Sequence, residues 1–593
     1  MGARCQRYSG ECRHNYIVIK QLLVAAALVA LTTSGFAQGV GAPPGPAGRG
    51  QRPARAVPTR ADAPRGTAVL RGMIVTADNA SPIRRAQVRV MSPDARESRV
   101  ATTDAQGRFE IRELPAGRYT MTASKGGFVS LQFGQRRPSE SGTPIELADA
   151  QTIDKITIAL PRGSVLGGRV TDEFGEPVAN ASVTAWRYAY QAGARRMVPA
   201  QGANGRDTTD DQGQFRLFGL PPGEYYVSAM LRSGGPEVTD PMGELSGYAA
   251  TYYPGTTNLG EAQRVTVALA QENTSVNFGL IATRLVRVSG QVMMSNGAPA
   301  PGGMVTLAPI SASGGRAMMM QQGGAGNRID QTGTFRLPNV APGRYQVQAR
   351  AGGREFELAR MDLVVGTEDV DGLTLVTAAG AVINGTIVSE TGEPFDFRAQ
   401  QLQVAARLAS PETQGTGPGG PGGSRVGDDW SFSVRNVIDP ILLRAAAPQG
   451  WTLKSVLLNG QDITDTPMEF PPGQTVGGLQ VVMSKKVTTL SGHVTDARGN
   501  PALDATVVVF PGDEKLWTYQ SRFIKAARPD QEGRYQMTAL PGGTDYLVVA
   551  VQRLEDGQAG DPEFLASVRN SAVKLELGEG ETKAVDVKLA STR

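Results

Sequence analysis

The sequence has 593 residues, of which 40% are hydrophobic, so it is long enough for several domains with packed cores. Its formal net charge of +4 is small for this length, which argues against a nucleic-acid-binding protein with a strongly basic surface. The 73 glycines and 38 prolines favour short strands joined by turns over long helices.

The N-terminal region has the pattern of a secretory signal peptide over residues 1–37. Arg13 and Lys20 give it a positive start, the apolar run 21–31 follows, and a small-residue pattern ends at Ala37. We therefore predict cleavage after Ala37, with an uncleaved membrane anchor as the alternative. The apolar run is shorter than the roughly 20 residues of a membrane span, and the mature chain contains no segment expected to cross a membrane as a helix.

Cysteines are confined to this region, since Cys5 and Cys12 are the only two in the sequence. The mature chain therefore has no disulfide, no thiolate nucleophile and no cysteine-ligated metal. Neither cysteine follows the apolar run, which argues against attachment of a lipid. The exported domains must depend on their hydrophobic cores for stability.

Residues 38–66 are rich in Gly, Pro and Ala and contain five arginines against one acidic residue, Asp62. Such a composition cannot bury a core, so we predict a disordered linker. Contact of this basic arm with anionic envelope polymers is the alternative to a plain spacer.

The rest of the chain repeats itself in five units, and this repetition governs the interpretation of every local pattern. Each unit opens with a strand that contains a glycine, and a turn closed by a proline follows. The glycine and the proline are nine residues apart in four units and ten in the first. The pairs are Gly72 and Pro82, Gly168 and Pro177, Gly290 and Pro299, Gly385 and Pro394, and Gly492 and Pro501.

A second signature, Asp-x-x-Gly-x-Phe followed by Leu-Pro-x-Gly-x-Tyr, occupies the other half of each unit. Its two glycines are ten residues apart in four units: Gly107 and Gly117, Gly213 and Gly223, Gly333 and Gly343, and Gly533 and Gly543. The fourth unit is degenerate, because Trp430 and Pro440 replace these glycines and Leu442 replaces the tyrosine. We therefore expect its loops to differ from those of the other units.

These signatures predict antiparallel hairpins. An aspartate carboxylate accepts backbone N–H groups in a turn, and glycine adopts a positive φ without steric cost. The strand that follows alternates between inward and outward residues. The sequence thus predicts an all-β fold, a tandem array of five Greek-key β-sandwiches. The predicted boundaries are 67–160, 161–281, 282–376, 377–484 for the degenerate unit, and 485–593.

The motifs resemble those of the carboxypeptidase regulatory-like domain. In the second unit they are carried by residues 168–177, 210–215 and 220–225. The resemblance implies a transthyretin-like (prealbumin-like), seven-stranded β-sandwich related to carbohydrate-binding folds, as in secreted multi-repeat bacterial proteins. It does not choose a function, because such domains accompany peptidases, outer-membrane receptors and adhesins.

Residues for catalysis and metal binding are scarce. A zinc carboxypeptidase needs about three protein ligands, histidine prominent among them, but the mature sequence has a single histidine, His493. Ser–His–Asp chemistry fails for the same reason. We interpret the carboxylates of Asp210 and Asp211, and of Asp428 and Asp429, as turn caps rather than calcium ligands. The sequence predicts no enzyme, no catalytic residue, no metal site and no cofactor.

The best binding candidate is an aromatic group in the second unit. Ala181, Val183 and Ala185 of its second strand are expected to face inward, so the aromatic residues that alternate with the inward positions are expected on the outer face. Exposed rings with polar tips suit sugar rings or a protein partner. The alternative is that these rings turn inward as core. The predicted ligand-binding residues are Trp186, Tyr188, Tyr190, Tyr252 and Tyr253.

Two functions remain open at this stage. The first is an exported binding protein for a polysaccharide or a cell-envelope protein, in which weak sites on several repeats add through avidity. The second is a spacer or scaffold of the cell envelope without a ligand pocket. Either places the protein in the periplasm, at the outer membrane or outside the cell.

Overall fold

The structure is a computed structural model of the chain. It describes residues 66–590 apart from the segments 93–96, 136, 139, 192, 201–204, 232–245, 311–327, 354–355, 411–422 and 449. The predicted signal peptide, and all of the predicted linker except Gly66, therefore lie outside the described residues.

The prediction of an all-β fold is confirmed. Within the described residues the main sheets form five pairs, and each pair encloses a hydrophobic core of its own. We call these pairs sandwiches one to five in chain order. The sheets of sandwich one have the strand orders β4-β1-β8 and β3-β2-β5-β6, with β7 beside β5. Its strands are β1 (Ala68–Thr76), β2 (Gln87–Ser92), β3 (Glu97–Thr102), β4 (Arg108–Leu114), β5 (Gly117–Ser124), β6 (Leu131–Gln132), β7 (Ile145–Leu147) and β8 (Thr152–Leu160).

Sandwich two has the strand orders β13-β9-β18 and β11-β10-β14-β16, and the short pair β15-β20 follows it. Its strands are β9 (Ser164–Thr171), β10 (Ala181–Gln191), β11 (Ala194–Pro199), β12 (Arg206–Thr208), β13 (Gln214–Leu220), β14 (Gly223–Leu231), β15 (Ser246–Tyr248), β16 (Thr251–Tyr252), β17 (Val265–Val267), β18 (Glu272–Asn273) and β19 (Phe278–Gly279). Sandwich three is built on β23-β21-β26 and β22-β24-β25-β27. Its segment contains β20 (Ala282–Arg284), β21 (Val286–Met293), β22 (Met304–Pro309), β23 (Thr334–Val340), β24 (Gly343–Ala351), β25 (Glu357–Val365), β26 (Val370–Val376) and β27 (Ala378–Ala379).

Sandwich four has the strand orders β31-β28-β35-β33-β34 and β30-β29-β32. Its strands are β28 (Ala381–Ser389), β29 (Gln403–Leu408), β30 (Gly423–Arg425), β31 (Ser431–Val437), β32 (Ile441–Ala446), β33 (Thr452–Leu458), β34 (Gln461–Asp462) and β35 (Thr475–Ser484). Sandwich five has the orders β39-β36-β42 and β38-β37-β40-β41. Its strands are β36 (Thr489–Thr495), β37 (Thr506–Pro511), β38 (Lys525–Ala527), β39 (Arg534–Thr538), β40 (Thr544–Val551), β41 (Val573–Leu577), β42 (Thr582–Ala584) and β43 (Val587–Lys588).

Sandwich five also carries one short helix, α1 (Pro562–Val568), which is too short for the sequence periodicity to indicate. Proline occupies its first turn, and the Asp561 carboxylate accepts a hydrogen bond from the Glu563 backbone N–H at 3.2 Å, which caps the helix. Leu565 and Val568 are buried in a second cluster against β37 and β40. Both faces of this sheet are therefore covered.

The opening strand of each sandwich lies between an antiparallel and a parallel neighbour. In sandwich one, β1 pairs antiparallel with β4 and parallel with β8. The motifs predicted the hairpins but not the parallel pair, which brings the first and last strands together. The opening-strand glycine is required there, because an added Cβ at Gly168 would lie 1.9 Å from the Val276 carbonyl oxygen. The equivalent distance in the other four sandwiches is 1.9–2.7 Å.

The Asp-x-x-Gly signature forms the expected turn. In sandwich two, the Asp210 carboxylate accepts hydrogen bonds from the backbone N–H groups of Gln212 and Gln214 at 3.0 and 2.7 Å. Gly213 has a φ of +72°, and its carbonyl accepts from the Val170 N–H at 2.9 Å. Sandwiches one, three and five repeat this turn, so the aspartates act as turn caps.

The tyrosine of the second signature anchors the turn before its own strand. The Tyr225 hydroxyl is buried and donates a hydrogen bond to the Pro221 carbonyl at 2.6 Å. Burial raises the pKa of Tyr225 to about 12, so the hydroxyl stays protonated and remains a donor. Tyr119, Tyr345 and Tyr546 make the same bond in sandwiches one, three and five. Leu442 takes this position in sandwich four and has no hydroxyl to donate.

Sandwich five contacts both its neighbour along the chain, sandwich four, and the distant sandwich one. Arg528 is 5% exposed and donates to the carbonyls of Ser141 and Gly134 in sandwich one, at 2.5 and 3.4 Å. Arg522 pairs with Asp465 of sandwich four at 2.9 Å. The repeats are therefore held together by contacts beyond those between neighbours.

Candidate functional site

The predicted aromatic group lies on the long strand β10, which has β11 and β12 on one side and β14 on the other. Ala181, Val183 and Ala185 are fully buried in the core of sandwich two, as their alternation predicted. The intervening residues of β10 point to the outer face of the sheet. Tyr252 on β16 pairs with Ser228 on β14, so its side chain lies on the same outer face of the sheet.

The expected exposure of Trp186 is wrong, because its side chain is 3% exposed. Its neighbours across the sheet are Pro199 on β11 and Tyr226 on β14. The indole N–H donates to the Ser228 hydroxyl at 2.8 Å, which satisfies the polar end of the ring without solvent. Trp186 is thus a packed residue of the outer face.

Tyr252 and Tyr253 do not form an exposed site either. Tyr252 is 9% exposed and pairs with Ser228 of β14. The next residue points to the opposite face, where the Tyr253 ring meets Phe278 of the core with centroids 6.1 Å apart. Consecutive residues of a strand face opposite ways, so these two tyrosines were never able to act together.

Tyr190 is half-buried near the tip of the β10–β11 hairpin, where the hairpin meets sandwich five. An added Cβ at Gly557 would lie 2.8 Å from the Tyr190 carbonyl oxygen, which shows how closely the two backbones approach. Burial raises the pKa of the Tyr190 hydroxyl, and the carboxylates of Asp561 and Glu555 raise it further. This ring belongs to a contact between sandwiches.

Tyr188 is exposed, at 38% of its surface, and lies in a small group of rings and cations. The Tyr226 ring meets it edge-on, with centroids 6.0 Å apart and planes at 83°. The Arg195 guanidinium carbon lies 5.1 Å from the Tyr188 centroid, within the range of a cation–π contact. Beside Tyr226, Arg264 pairs with Glu224 at 2.7 Å. We call Tyr188, Tyr226, Arg195 and Arg264 the tyrosine face.

The chemistry that this face offers is recognition. An aromatic ring stacks on the apolar side of a sugar, and the arginines supply hydrogen-bond donors for hydroxyl or carboxylate oxygens. Within the described residues, no group of three or more His, Cys, Asp or Glu side chains is placed to hold a metal ion. The His493 side chain is 57% exposed on β36, with its Nδ1 atom 3.4 Å from an Asp586 oxygen. Among the described helices, none has the length and apolar character to cross a membrane.

The sequence analysis missed a second aromatic group, which lies in sandwich four. Phe395 and Phe397 lie in the loop before β29, and Trp430 and Trp451 complete the group. Four of its ring pairs have centroid distances between 4.0 and 5.5 Å. The signal was present, because Trp430 replaces a turn glycine and Phe395 and Phe397 are two residues apart. We interpreted that replacement as degeneracy. We call these four residues the tryptophan cluster.

Comparison with known proteins finds a family match for two of the repeats. The family model of the carboxypeptidase regulatory-like domain matches residues 69–161 and 165–278, which hold sandwiches one and two. No curated protein matches the chain.

Solved structures of low similarity also align. A streptococcal ancillary pilin is 14% identical over 52% of this chain and 98% of its own, with a TM-score of 0.19. The major pilin subunit of Bacillus cereus is 12% identical over 52% of this chain and 99% of its own, with a TM-score of 0.14. The Bacillus anthracis TIE protein is 14% identical over 53% of this chain and 51% of its own, so the chain spans about half of that protein, with a TM-score of 0.15.

These TM-scores are too low for any conclusion about function, and the family match carries the assignment. The match covers two of the four sandwiches in which the glycine, aspartate and tyrosine signatures make the contacts described above. Sandwiches one and two are therefore similar to the carboxypeptidase regulatory-like domain.

Proposed function

We propose that the protein is an exported, non-catalytic, carbohydrate-binding protein of the cell envelope, with the tyrosine face of sandwich two as a glycan site. The observation that carries this proposal is the exposed Tyr188 ring, held edge-on by Tyr226 and flanked by Arg195. A ring fixed in this way loses little freedom when a ligand stacks on it, so most of the contact energy is available for binding.

The arrangement around Tyr188 favours a glycan over a purely apolar partner. The face is narrow, because Trp186 and Tyr252 are buried, and it presents one ring rather than a broad hydrophobic patch. Its borders are guanidinium groups, which donate hydrogen bonds to hydroxyl and carboxylate oxygens. A sugar ring offers both an apolar side and a rim of hydroxyls to such a site. An envelope protein remains the other partner class for the same face.

A structural scaffold without a ligand is the second candidate. The buried contact of Arg528 with sandwich one favours it, because a buried guanidinium that donates to backbone carbonyls of another repeat fixes the two repeats together. The two candidates differ in one respect that is simple to measure. A scaffold has no saturable ligand, whereas the carbohydrate-binding protein binds its ligand more weakly when Tyr188 is removed.

Affinity electrophoresis of the purified protein through gels that contain soluble polysaccharides tests this proposal. We expect retardation by at least one polysaccharide, and Tyr188→Ala should weaken it by roughly tenfold, the effect of losing a central aromatic contact. Phe174→Ala is the matched control, because Phe174 is 84% exposed in another loop of sandwich two and should leave retardation unchanged. An envelope pull-down with the same variants identifies a protein partner instead. Equal behaviour of the wild type and Tyr188→Ala in both assays would favour the scaffold.

A further inference from the structure

Sandwich four keeps the turn of the other repeats but builds it from different residues. The Trp430 carbonyl accepts from the Ile387 N–H at 2.9 Å, as the Gly107 carbonyl accepts from Ile74 in sandwich one at 2.8 Å. Trp430 has a φ of +62°, close to the +71° of Gly107. An aromatic residue therefore holds a left-handed backbone conformation that favours glycine, and such strain is retained where the surroundings impose it.

The neighbouring loop differs in a way that makes room for the indole. In sandwich two, an added Cβ at Gly213 would lie 2.4 Å from the Val170 carbonyl oxygen and 3.2 Å from the Pro177 Cβ. The opening-turn proline of the other four sandwiches forms a β-bridge with the opening strand. Among the described residues of sandwich four, Pro394 forms no such bridge. The opening turn that contains Pro394 is therefore not fixed beside Trp430 by the bridge that the other sandwiches have.

The released loop places two phenylalanines on the indole. The Phe395 ring lies 4.0 Å from the Trp430 ring, centroid to centroid, with the planes inclined by 34°. The Phe397 ring meets Trp430 edge-on at 5.5 Å. These three rings are half-buried, whereas Trp451 behind them is 8% exposed. The cluster therefore presents partly exposed ring surface on a buried aromatic support.

Polar groups border these rings. The Asp396 carboxylate lies between the two phenylalanines in sequence, accepts a hydrogen bond from the Trp451 indole N–H at 2.7 Å and pairs with Lys485 at 3.1 Å. Its side chain is nevertheless 61% exposed, so it still has capacity to accept. Asp428 and Asp429 are exposed in the turn beside Trp430. The border carries more carboxylates than cations, unlike the tyrosine face.

The distances between the rings distinguish a site for a quaternary ammonium from a site for a flat ligand with hydroxyl groups. An aromatic cage for a quaternary ammonium holds the cation between ring faces, within about 6 Å of each centroid. Here the centroids are 4.0–5.7 Å apart, so the rings fill the space between them. Only the outer surface of the cluster is available, and it suits a flat ligand with hydroxyl donors. The surrounding carboxylates repel an anionic one.

We propose that the tryptophan cluster of sandwich four is a second glycan site, selective for the pyranose rings of neutral polysaccharides. The Trp430 ring, supported by Phe395 and Phe397, stacks on the sugar, and Asp396 accepts hydrogen bonds from its hydroxyls. This deepens the proposed function, because both sites take glycans, but it depends on different residues. At this turn position the other repeats have a glycine without a side chain, whereas sandwich four has the partly exposed indole of Trp430.

Intrinsic fluorescence tests this site selectively. All four tryptophans lie in the described part of the chain, and Trp186, Trp451 and Trp517 are at most 8% exposed. Acrylamide quenching therefore reports mainly on Trp430. We expect a neutral polysaccharide such as xylan or a soluble β-glucan to protect the fluorescence from acrylamide, and polygalacturonate to protect it much less. Absence of protection by every neutral polysaccharide in such a panel would overturn the proposal.

Two variants separate binding from folding. Trp430→Gly restores the turn residue of the other repeats, so the turn should persist while affinity for the neutral polysaccharide falls by roughly tenfold or more. Phe397→Leu keeps apolar volume but removes a supporting ring and should weaken binding less. Trp517→Phe, a buried tryptophan of sandwich five, is the control and should bind as wild type.

The outcomes distinguish this site from the tyrosine face. Loss of neutral-polysaccharide binding in Trp430→Gly with retention in Tyr188→Ala supports the second site. Wild-type affinity of a folded Trp430→Gly would show that the cluster only packs the turn, whatever Tyr188→Ala does. Circular dichroism and a thermal melt of each variant verify that it is folded.

Discussion

Sandwiches two and four use aromatic residues in opposite ways on the same framework. In sandwich two the rings stand on strand β10, where cross-strand neighbours bury Trp186 and leave Tyr188 exposed. In sandwich four the rings stand on three connecting segments, and Trp430 occupies the position at which the other repeats have glycine. In sandwich two the exposure of a ring is set by the neighbouring strands, whereas in sandwich four it is set by the loops that bring the rings together. Loss of the turn glycine in sandwich four therefore places an aromatic side chain where the other repeats have none.

The largest expected effect comes from transferring the tryptophan to sandwich two. Gly213→Trp places a Cβ 2.4 Å from the Val170 carbonyl oxygen, at a φ of +72°, with the opening turn still in its usual place. We expect a loss of about 3–5 kcal/mol in the free energy of unfolding, from backbone strain and overpacking together. Limited proteolysis and chemical denaturation measure it. Gly175→Ala is the control: its φ is +84° but nothing lies near the added Cβ, so it should cost only about 1 kcal/mol.

An effect of similar size in one variant distinguishes Trp186 from Tyr188 on β10. Trp186→Ala removes a ring that is 3% exposed and leaves Ser228 without its partner, so we expect a loss of about 3–5 kcal/mol. Tyr188→Ala removes an exposed ring and should change the free energy of unfolding by less than about 1 kcal/mol. Denaturant titration of both variants checks the difference. Equal losses would mean that Tyr188 is also core and would remove the tyrosine face as a site.

A smaller effect concerns the tyrosine that sandwich four lacks. Tyr225→Phe removes the donor to the Pro221 carbonyl in a buried turn, and we expect a loss of about 1–2 kcal/mol in the free energy of unfolding. Leu442→Tyr in sandwich four adds a hydroxyl where the turn has Pro440 in place of glycine, and it should not produce a matching gain. If Leu442→Tyr stabilised the protein, the turn of sandwich four would have the same geometry as the Tyr225 turn of sandwich two, contrary to our expectation.

The smallest effect is a dependence on pH in sandwich four. Hydrogen bonds from Lys454, Ser484 and Lys486 lower the pKa of Glu390 to about 2, from an ordinary value of 4.5. A carboxyl group whose pKa is lower in the folded state stabilises the fold above pH 4.5, and that contribution is lost as the pH falls towards 2. Glu390→Gln should therefore flatten the decline of stability between pH 4.5 and 2. An unchanged acid profile in urea denaturation would contradict this coupling.

The sequence predicted the β fold because its signatures encode local geometry. A turn aspartate, a glycine with positive φ and a tyrosine that reaches back four residues act within one hairpin, so their spacing is sufficient to identify them. It also placed Trp186 and Tyr188 correctly on one face of β10. It did not predict which of them is covered, because exposure depends on Pro199 and Tyr226 across the sheet. The tryptophan cluster was missed because Phe395 and Trp430 are brought together only by the fold.

The most direct test of the central claim is affinity electrophoresis of Tyr188→Ala, Trp430→Gly and the double variant through polysaccharide gels. We expect each single variant to lose part of the retardation and the double variant to migrate as it does in a gel without polysaccharide. Retardation of the folded double variant equal to that of the wild type would contradict it, and so would a wild type that no polysaccharide retards.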